Sequence, residues 1–227
     1  MHNIRIPRYE NLVCSELGHD SPKHAGCRFF DHSPVEYEFN AWGFRTHGFD
    51  KLNSDSILVF GDSYTLGMGE NINDCYTSIL EKQLNCPVFN ISLNGASNDW
   101  IARRVQDMLG QVQPRAVVVH YTFSHRRELD NPDWHDDERT LCDPMHTSAE
   151  NFDNWQQNFN KIVSAVRSIP VVHSFIPGWH DVTVNYSIMP GTVLLPVAPL
   201  DRARDGFHYG IKTHQLLAQQ LTNLLAV

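Results

Sequence analysis

Four short apolar runs constrain this chain more than any other feature. Ile57-Leu58-Val59-Phe60, Pro87-Val88-Phe89-Asn90-Ile91-Ser92, Ala116-Val117-Val118-Val119-His120-Tyr121 and Val171-Val172-His173-Ser174-Phe175 are each short and nearly continuous in apolar character. Strands buried on both faces read this way, and a half-solvated strand, which alternates, does not. Between the runs lie segments of helical period. Tyr76, Ile79, Leu80 and Leu84 recur on one face of a helix that Asp74 is placed to cap, and further helices are predicted from about Asn98 to Leu109 and from about Ala149 to Arg167. A short strand is predicted near Val193-Leu194-Leu195. Leu216, Leu217, Leu221, Leu224 and Leu225 mark a terminal amphipathic helix over 211–225. Strand and helix therefore alternate, which specifies an α/β chain: a three-layer αβα, flavodoxin-like doubly wound parallel sheet, with its functional edge outside the C-terminal strand ends.

The chain has 227 residues, a length that one such core can organise. Residues 1–55 carry scattered Gly, Pro, His and aromatics without a sustained period, so they read as an irregular N-terminal extension packed on a domain spanning 56–227. Acidic residues exceed basic ones by 26 to 18, a formal charge of -8, which leaves no basic excess for phosphates and argues against a nucleic-acid partner. The pairs Arg103-Arg104 and Arg126-Arg127 read as solvated or locally paired side chains. Five cysteines without a CxxC spacing give no disulfide framework. With no apolar h-region after Met1 and no long apolar run, a cytoplasmic protein without a membrane partner is expected.

Chemistry concentrates at two places. Gly61-Asp62-Ser63-Tyr64-Thr65-Leu66-Gly67 follows the first core strand and puts a serine hydroxyl at the functional edge of the sheet. A serine there needs a base, and the base needs an orienting acid. Asp205-Gly206-Phe207-His208, just before the terminal helix, presents a carboxylate and an imidazole from one loop. Asp62, beside the serine, reads as a structural hydrogen-bonding residue.

These two blocks resemble the first and last blocks of the GDSL/SGNH serine hydrolases, in the same Ser, Asp, His order, over about residues 56–227. Asn94-Gly95-Ala96-Ser97-Asn98 resembles their second block, with Gly95 the matching glycine, and Glu36 to Arg45 is similar to a lead-in segment of some bacterial and phage-associated members. The resemblance implies a serine esterase for short acyl groups such as acetyl, on a small-molecule or carbohydrate substrate, needing no cofactor. Ser63 would be the nucleophile, His208 the base and Asp205 its orienting acid, with the amides of Ser63 and Gly95 in the oxyanion hole. One block departs. Where the family carries an Asn after the third strand, this chain reads Tyr121-Thr122-Phe123-Ser124-His125-Arg126-Arg127-Glu128, so the usual side-chain donor is missing. Loss of such a donor costs about 100- to 1,000-fold in turnover. Asn98, adjoining Gly95, is the preferred replacement, with Ser124 and Arg126 behind it.

Thirteen histidines, crowded at His120, His125, His135 and His146, show no His-x-x-x-His spacing, so no metal is expected. Trp134, Trp155 and Trp179 read as packing residues rather than a sugar platform. Two other readings use the same residues: an acyltransferase, told apart by product analysis with an added acceptor, and a glycan-binding or structural protein whose triad no longer works.

Overall fold

The apolar runs pair side by side because each is hydrophobic on both faces and can be buried only between two helix layers. The computed structural model describes residues 4–15, 34–128, 140–142, 146–176, 191–193 and 198–226. In chain order the elements are β1 (Val13–Cys14), β2 (Tyr37–Glu38), β3 (Ile57–Gly61), α1 (Ser63–Leu66), α2 (Tyr76–Leu84), β4 (Val88–Ser92), α3 (Asn98–Leu109), β5 (Ala116–Tyr121), β6 (Arg126–Glu128), β7 (Thr140–Cys142), α4 (Ser148–Val166), β8 (Val171–Phe175), β9 (Thr192–Val193) and α5 (Ile211–Leu225).

The central sheet runs β4-β3-β5-β8-β9 with every pairing parallel. By order of appearance this is 2-1-3-4-5, the flavodoxin-like arrangement, whose topological switch point lies beside the first core strand. Every residue of β3, β4, β5 and β8 is buried. Helices α2 and α5 pack together, as do α3 and α4, giving the two outer layers that right-handed crossovers require. Sequence-local signals set the helix starts. Ser97 caps α3 by accepting the Trp100 N–H, and Thr147 with Glu150 forms a capping box at α4.

Three details differ from the sequence expectation. Asp74 does not cap α2: it ends a 3₁₀ turn over Ile72–Asp74, and Cys75 takes the cap position without a side-chain bond. The last strand is Thr192–Val193, while Leu194 and Leu195 lie outside the described residues. The polar segment after β5 begins with an antiparallel pair, β6 on β7, in register Arg126 to Cys142.

Within the described part of residues 4–55, Ile4, Ile6, Tyr9, Tyr37, Phe39, Phe44 and Phe49 are buried in the same apolar cluster as the sheet. Phe49 lies against Phe89 of β4 with ring centroids 5.8 Å apart. Burial came without period because these residues sit in turns and in a two-residue strand pair, where no repeat can develop. Among the described residues no helix is long and apolar enough to cross a membrane.

Candidate active site

The turn after β3 is where the parallel sheet ends and α1 begins. Asp62 is its hinge: fully buried, it accepts the Tyr64 N–H at Oδ1 (3.0 Å) and so caps α1, which presents Ser63 in its first turn. Oδ2 of the same carboxylate accepts from Thr122 Oγ1 at 2.6 Å and from Arg126 Nη1 at 3.0 Å. The far end of α1 closes on Gly67, held at φ +78, where an added Cβ would also strike the Cys75 sulfur. Arg45, 2% exposed and lying over the Tyr37 ring, donates to the carbonyls of Leu66 (3.1 Å), Gly67 (2.8 Å) and Glu70 (2.9 Å). A cation thus sits at the carbonyl end of the serine-bearing helix, where the helix dipole favours it. Sequence reasoning gave Arg45 no role. Its signal was only a place in the lead-in segment, and its partners are backbone atoms that no side-chain pattern reports.

The second turn, before α5, is built on local bonds. Asp205 Oδ1 accepts the N–H groups of Phe207 (2.9 Å) and His208 (3.0 Å), and Oδ2 accepts Nδ1–H of His208. Burial pushes the Asp205 carboxyl up, but the His208 hydrogen bond and charge and the two amides outweigh it and hold it below the usual range. With Nδ1–H donated in a hydrogen bond to the carboxylate, the imidazole turns an accepting Nε2 outward, and Ser63 Oγ lies 2.8 Å from it. Tyr64 meets His208 edge-on, with centroids 4.8 Å apart. Residues 145 positions apart in the chain, Ser63 and His208, therefore form one hydrogen-bonded series with Asp205.

Gly95 follows β4 at the same sheet edge, where Ser92 pairs with Gly61. It holds φ +80 with nothing within 4 Å of where a Cβ would stand, so the glycine answers a backbone demand and leaves open space above it. Among the described residues no protein acceptor takes the N–H of Ser63 or of Gly95.

Asn98 is a correction. Its Nδ2 donates to the carbonyls of Thr122 (3.2 Å) and Phe123 (3.2 Å), and its Oδ1 accepts the Thr122 N–H (3.2 Å). Both amide hydrogens are spent on the backbone after β5, so the side chain grips that turn and is not available to a substrate. The sequence places Asn98 near Gly95, and this is true, but nearness along the chain does not fix where a helix residue's side chain is used. Ser124 lies in the turn between Phe123 and Arg126. Arg126 is drawn back to Asp62, beside Ser63.

The other chemistry-bearing residues lie elsewhere. Burial lowers His120 to about 4, leaving a neutral ring that bonds Ser174 Oγ at 2.8 Å. His125 stacks on Phe123. Trp155 is buried against Tyr121, Phe159 and Phe175. His135, Trp134 and Trp179 lie outside the described residues. Among the described residues no cluster of three or more His, Cys, Asp or Glu is placed to hold a metal. Arg103 pairs with Glu128, and Arg104, fully buried, pairs with Asp107 at 3.1 Å.

No protein-family model and no curated protein sequence matches the chain. Solved structures do. An acetyl xylan esterase from the rumen bacterium Butyrivibrio proteoclasticus is 16% identical with a TM-score of 0.54, the match covering 77% of this chain and 65% of the other. A family two carbohydrate esterase from Clostridium thermocellum, in complex with cellohexaose, is 16% identical with a TM-score of 0.53, over 83% and 66%. A G-D-S-L family protein from Desulfitobacterium hafniense is 14% identical with a TM-score of 0.51, over 76% and 99%. Likeness at these identities speaks for the fold, and the fold it establishes across most of this chain is that of the GDSL/SGNH hydrolases.

Proposed function

We propose that the chain is a serine esterase that removes short acyl groups, with Ser63 as nucleophile, His208 as general base and acid, and Asp205 as its orienting carboxylate. The observation that carries this reading is the hydrogen-bonded series Ser63 Oγ to His208 Nε2 at 2.8 Å and His208 Nδ1 to Asp205, set at the C-terminal edge of the sheet. In the acylation step Ser63 Oγ bonds to the ester carbonyl carbon while His208 Nε2 takes the hydroxyl proton, and the carbonyl electron pair moves onto oxygen. That pair returns as the bond to the alcohol breaks, and His208 gives its proton to the departing oxygen. Water then repeats the sequence and releases the acid. The N–H groups of Ser63 and Gly95 supply the first two donors to the oxyanion.

Acetyl esters of carbohydrates are the substrates to try first, because an acetyl xylan esterase and a family two carbohydrate esterase share this fold. The test is hydrolysis of 4-nitrophenyl acetate and of acetylated xylan oligosaccharides, with a serine-directed fluorophosphonate. The expected result is turnover and labelling of wild type, with both lost in Ser63→Ala, a fall on the order of 10^6-fold, while circular dichroism is unchanged. A Ser63→Ala variant that still turns over or is still labelled refutes the assignment.

A further inference from the structure

In the family that the sequence blocks resemble, an asparagine from the turn after the third core strand reaches the oxyanion, and in this chain the geometry of the corresponding turn after β5 singles out one residue. Asn98 holds that turn by three hydrogen bonds to the backbone of Thr122 and Phe123. From the turn so held, Arg126 donates its own N–H to the Phe123 carbonyl (3.1 Å) and enters β6, whose pairing with β7 fixes its backbone further. Its side chain then turns back. Nη1 donates to Asp62 Oδ2 at 3.0 Å and to Thr122 Oγ1 at 3.2 Å, and the guanidinium carbon lies 5.2 Å from the Phe123 ring centroid. Asp62 precedes Ser63 and caps its helix, so one nitrogen of Arg126 is fastened to the nucleophile turn itself.

A guanidinium carries five N–H donors in one plane, and the Asp62 and Thr122 contacts use only those of Nη1. Among the described residues neither Nε nor Nη2 of Arg126 has a protein acceptor, and the side chain is 14% exposed, so these donors are neither bonded to protein nor sealed away. They belong to a rigid group anchored at Asp62, at the crevice between β3 and β5 where a doubly wound sheet takes its ligand. A counter-ion for Asp62 would need one donor. A planar fork with a free edge suits a second acceptor that is not part of the protein, and beside Ser63 the acceptor that gains charge during acyl transfer is the carbonyl oxygen.

We propose that Arg126 is the side-chain donor to the oxyanion formed at Ser63, its Nε and Nη2 edge standing in for the asparagine absent from the turn after β5. The inference rests on the esterase reading of Ser63, Asp205 and His208 given above. Its substrate is an ester whose carbonyl oxygen becomes the anion, and Arg126 contributes mainly once that charge has formed.

The experiment compares wild type, Arg126→Lys and Arg126→Gln in full-length protein, with 4-nitrophenyl acetate as substrate and an alkyl boronic acid as a tetrahedral, negatively charged mimic of the adduct. Lysine keeps a cation for Asp62 and loses the planar fork. Arg126→Lys is expected to keep the wild-type melting temperature and KM, while kcat falls roughly 100- to 1,000-fold and boronate affinity falls in step with it. Arg126→Gln should lose at least as much. A purely structural Arg126 predicts the reverse: Arg126→Lys with kcat and boronate affinity within about threefold of wild type, and Arg126→Gln with a lowered melting temperature. That outcome overturns the proposal. Wild type labelled by fluorophosphonate while the Arg126 variants match it in rate sinks this inference alone, whereas wild type neither labelled nor active sinks it together with the esterase reading.

Discussion

Two turns bring Ser63, Asp205 and His208 together, and they are stabilised in different ways. The Ser63 turn after β3 is held by residues distant in sequence: Arg45 at the carbonyl end of α1, Thr122 and Arg126 on Asp62, and Tyr76, whose hydroxyl meets Thr65 Oγ1 at 3.0 Å. The Asp205–His208 turn is built largely on local bonds, with Arg204 reaching the Gly69 carbonyl and Tyr64 lying against His208. Asp205 takes two amides within three residues, Gly206 N–H bonds the Ala203 carbonyl at 2.8 Å, and Ala203 N–H bonds the His208 carbonyl at 3.0 Å. A turn rich in local bonds is less sensitive to changes elsewhere in the molecule, whereas a turn braced by tertiary contacts inherits the losses in its supports. Ser63 is therefore the end of the site whose geometry depends most on the rest of the fold, and His208 the end whose geometry depends most on one loop.

The largest expected effect separates chemistry from support in the local turn. Asp205→Asn keeps an oxygen for the Phe207 and His208 amides but places an NH₂ where His208 Nδ1–H needs an acceptor. The expected loss in kcat is on the order of 10^4-fold, with a melting temperature close to that of wild type. A large fall in melting temperature would mean that the two amide bonds do not hold this turn without the His208 contact. Next comes the braced turn. Arg45→Met keeps the side-chain stem and removes the donors to the carbonyls of Leu66, Gly67 and Glu70, leaving buried acceptors unsatisfied at a cost of about 2–4 kcal/mol in urea unfolding. Stability within experimental error of wild type would show that the Ser63 turn does not need its brace.

The same contrast explains what was legible in the sequence. The strands from Ile57 to Phe175 declare themselves because burial on both faces leaves a continuous apolar run, and Asp205-x-x-His208 declares itself because its bonds are local. Arg45 and Thr122 are silent in sequence, since an arginine that binds three backbone carbonyls and a threonine that binds one carboxylate look like any surface residue until the chain is folded. The Asn98 expectation failed for a related reason. A helix N-terminus beside Gly95 was foreseen, but the turn that its amide holds lies 24 residues further on, across β5. Ile4, Tyr37 and Phe44 were unreadable as core because turns impose no period on apolar residues.

The smallest effect is expected where the two turns touch. Arg204, one residue before Asp205, donates its Nη1 to the Gly69 carbonyl at 3.3 Å, and Glu70 follows at once, 4% exposed. Burial raises the Glu70 carboxyl to about 7; Arg204 opposes the rise and Asp74, Asp201 and Asp205 add to it. The ordinary value of this group is 4.5, so between pH 4.5 and about 7 the folded chain holds a proton that the unfolded chain has released. The folded state then binds more protons than the unfolded one, and stability falls as pH rises through that window. Glu70→Gln stays neutral at every pH and removes this loss. The variant should melt above wild type at pH 8, by roughly 2–4 °C for each kcal/mol recovered, and the two curves should converge as pH falls to 4.5. Equal melting at pH 8 would show that the junction carries no charge strain. A difference that persists unchanged at low pH would mean that glutamine improves packing rather than relieving a buried carboxylate, and the two turns would then meet without an electrostatic cost.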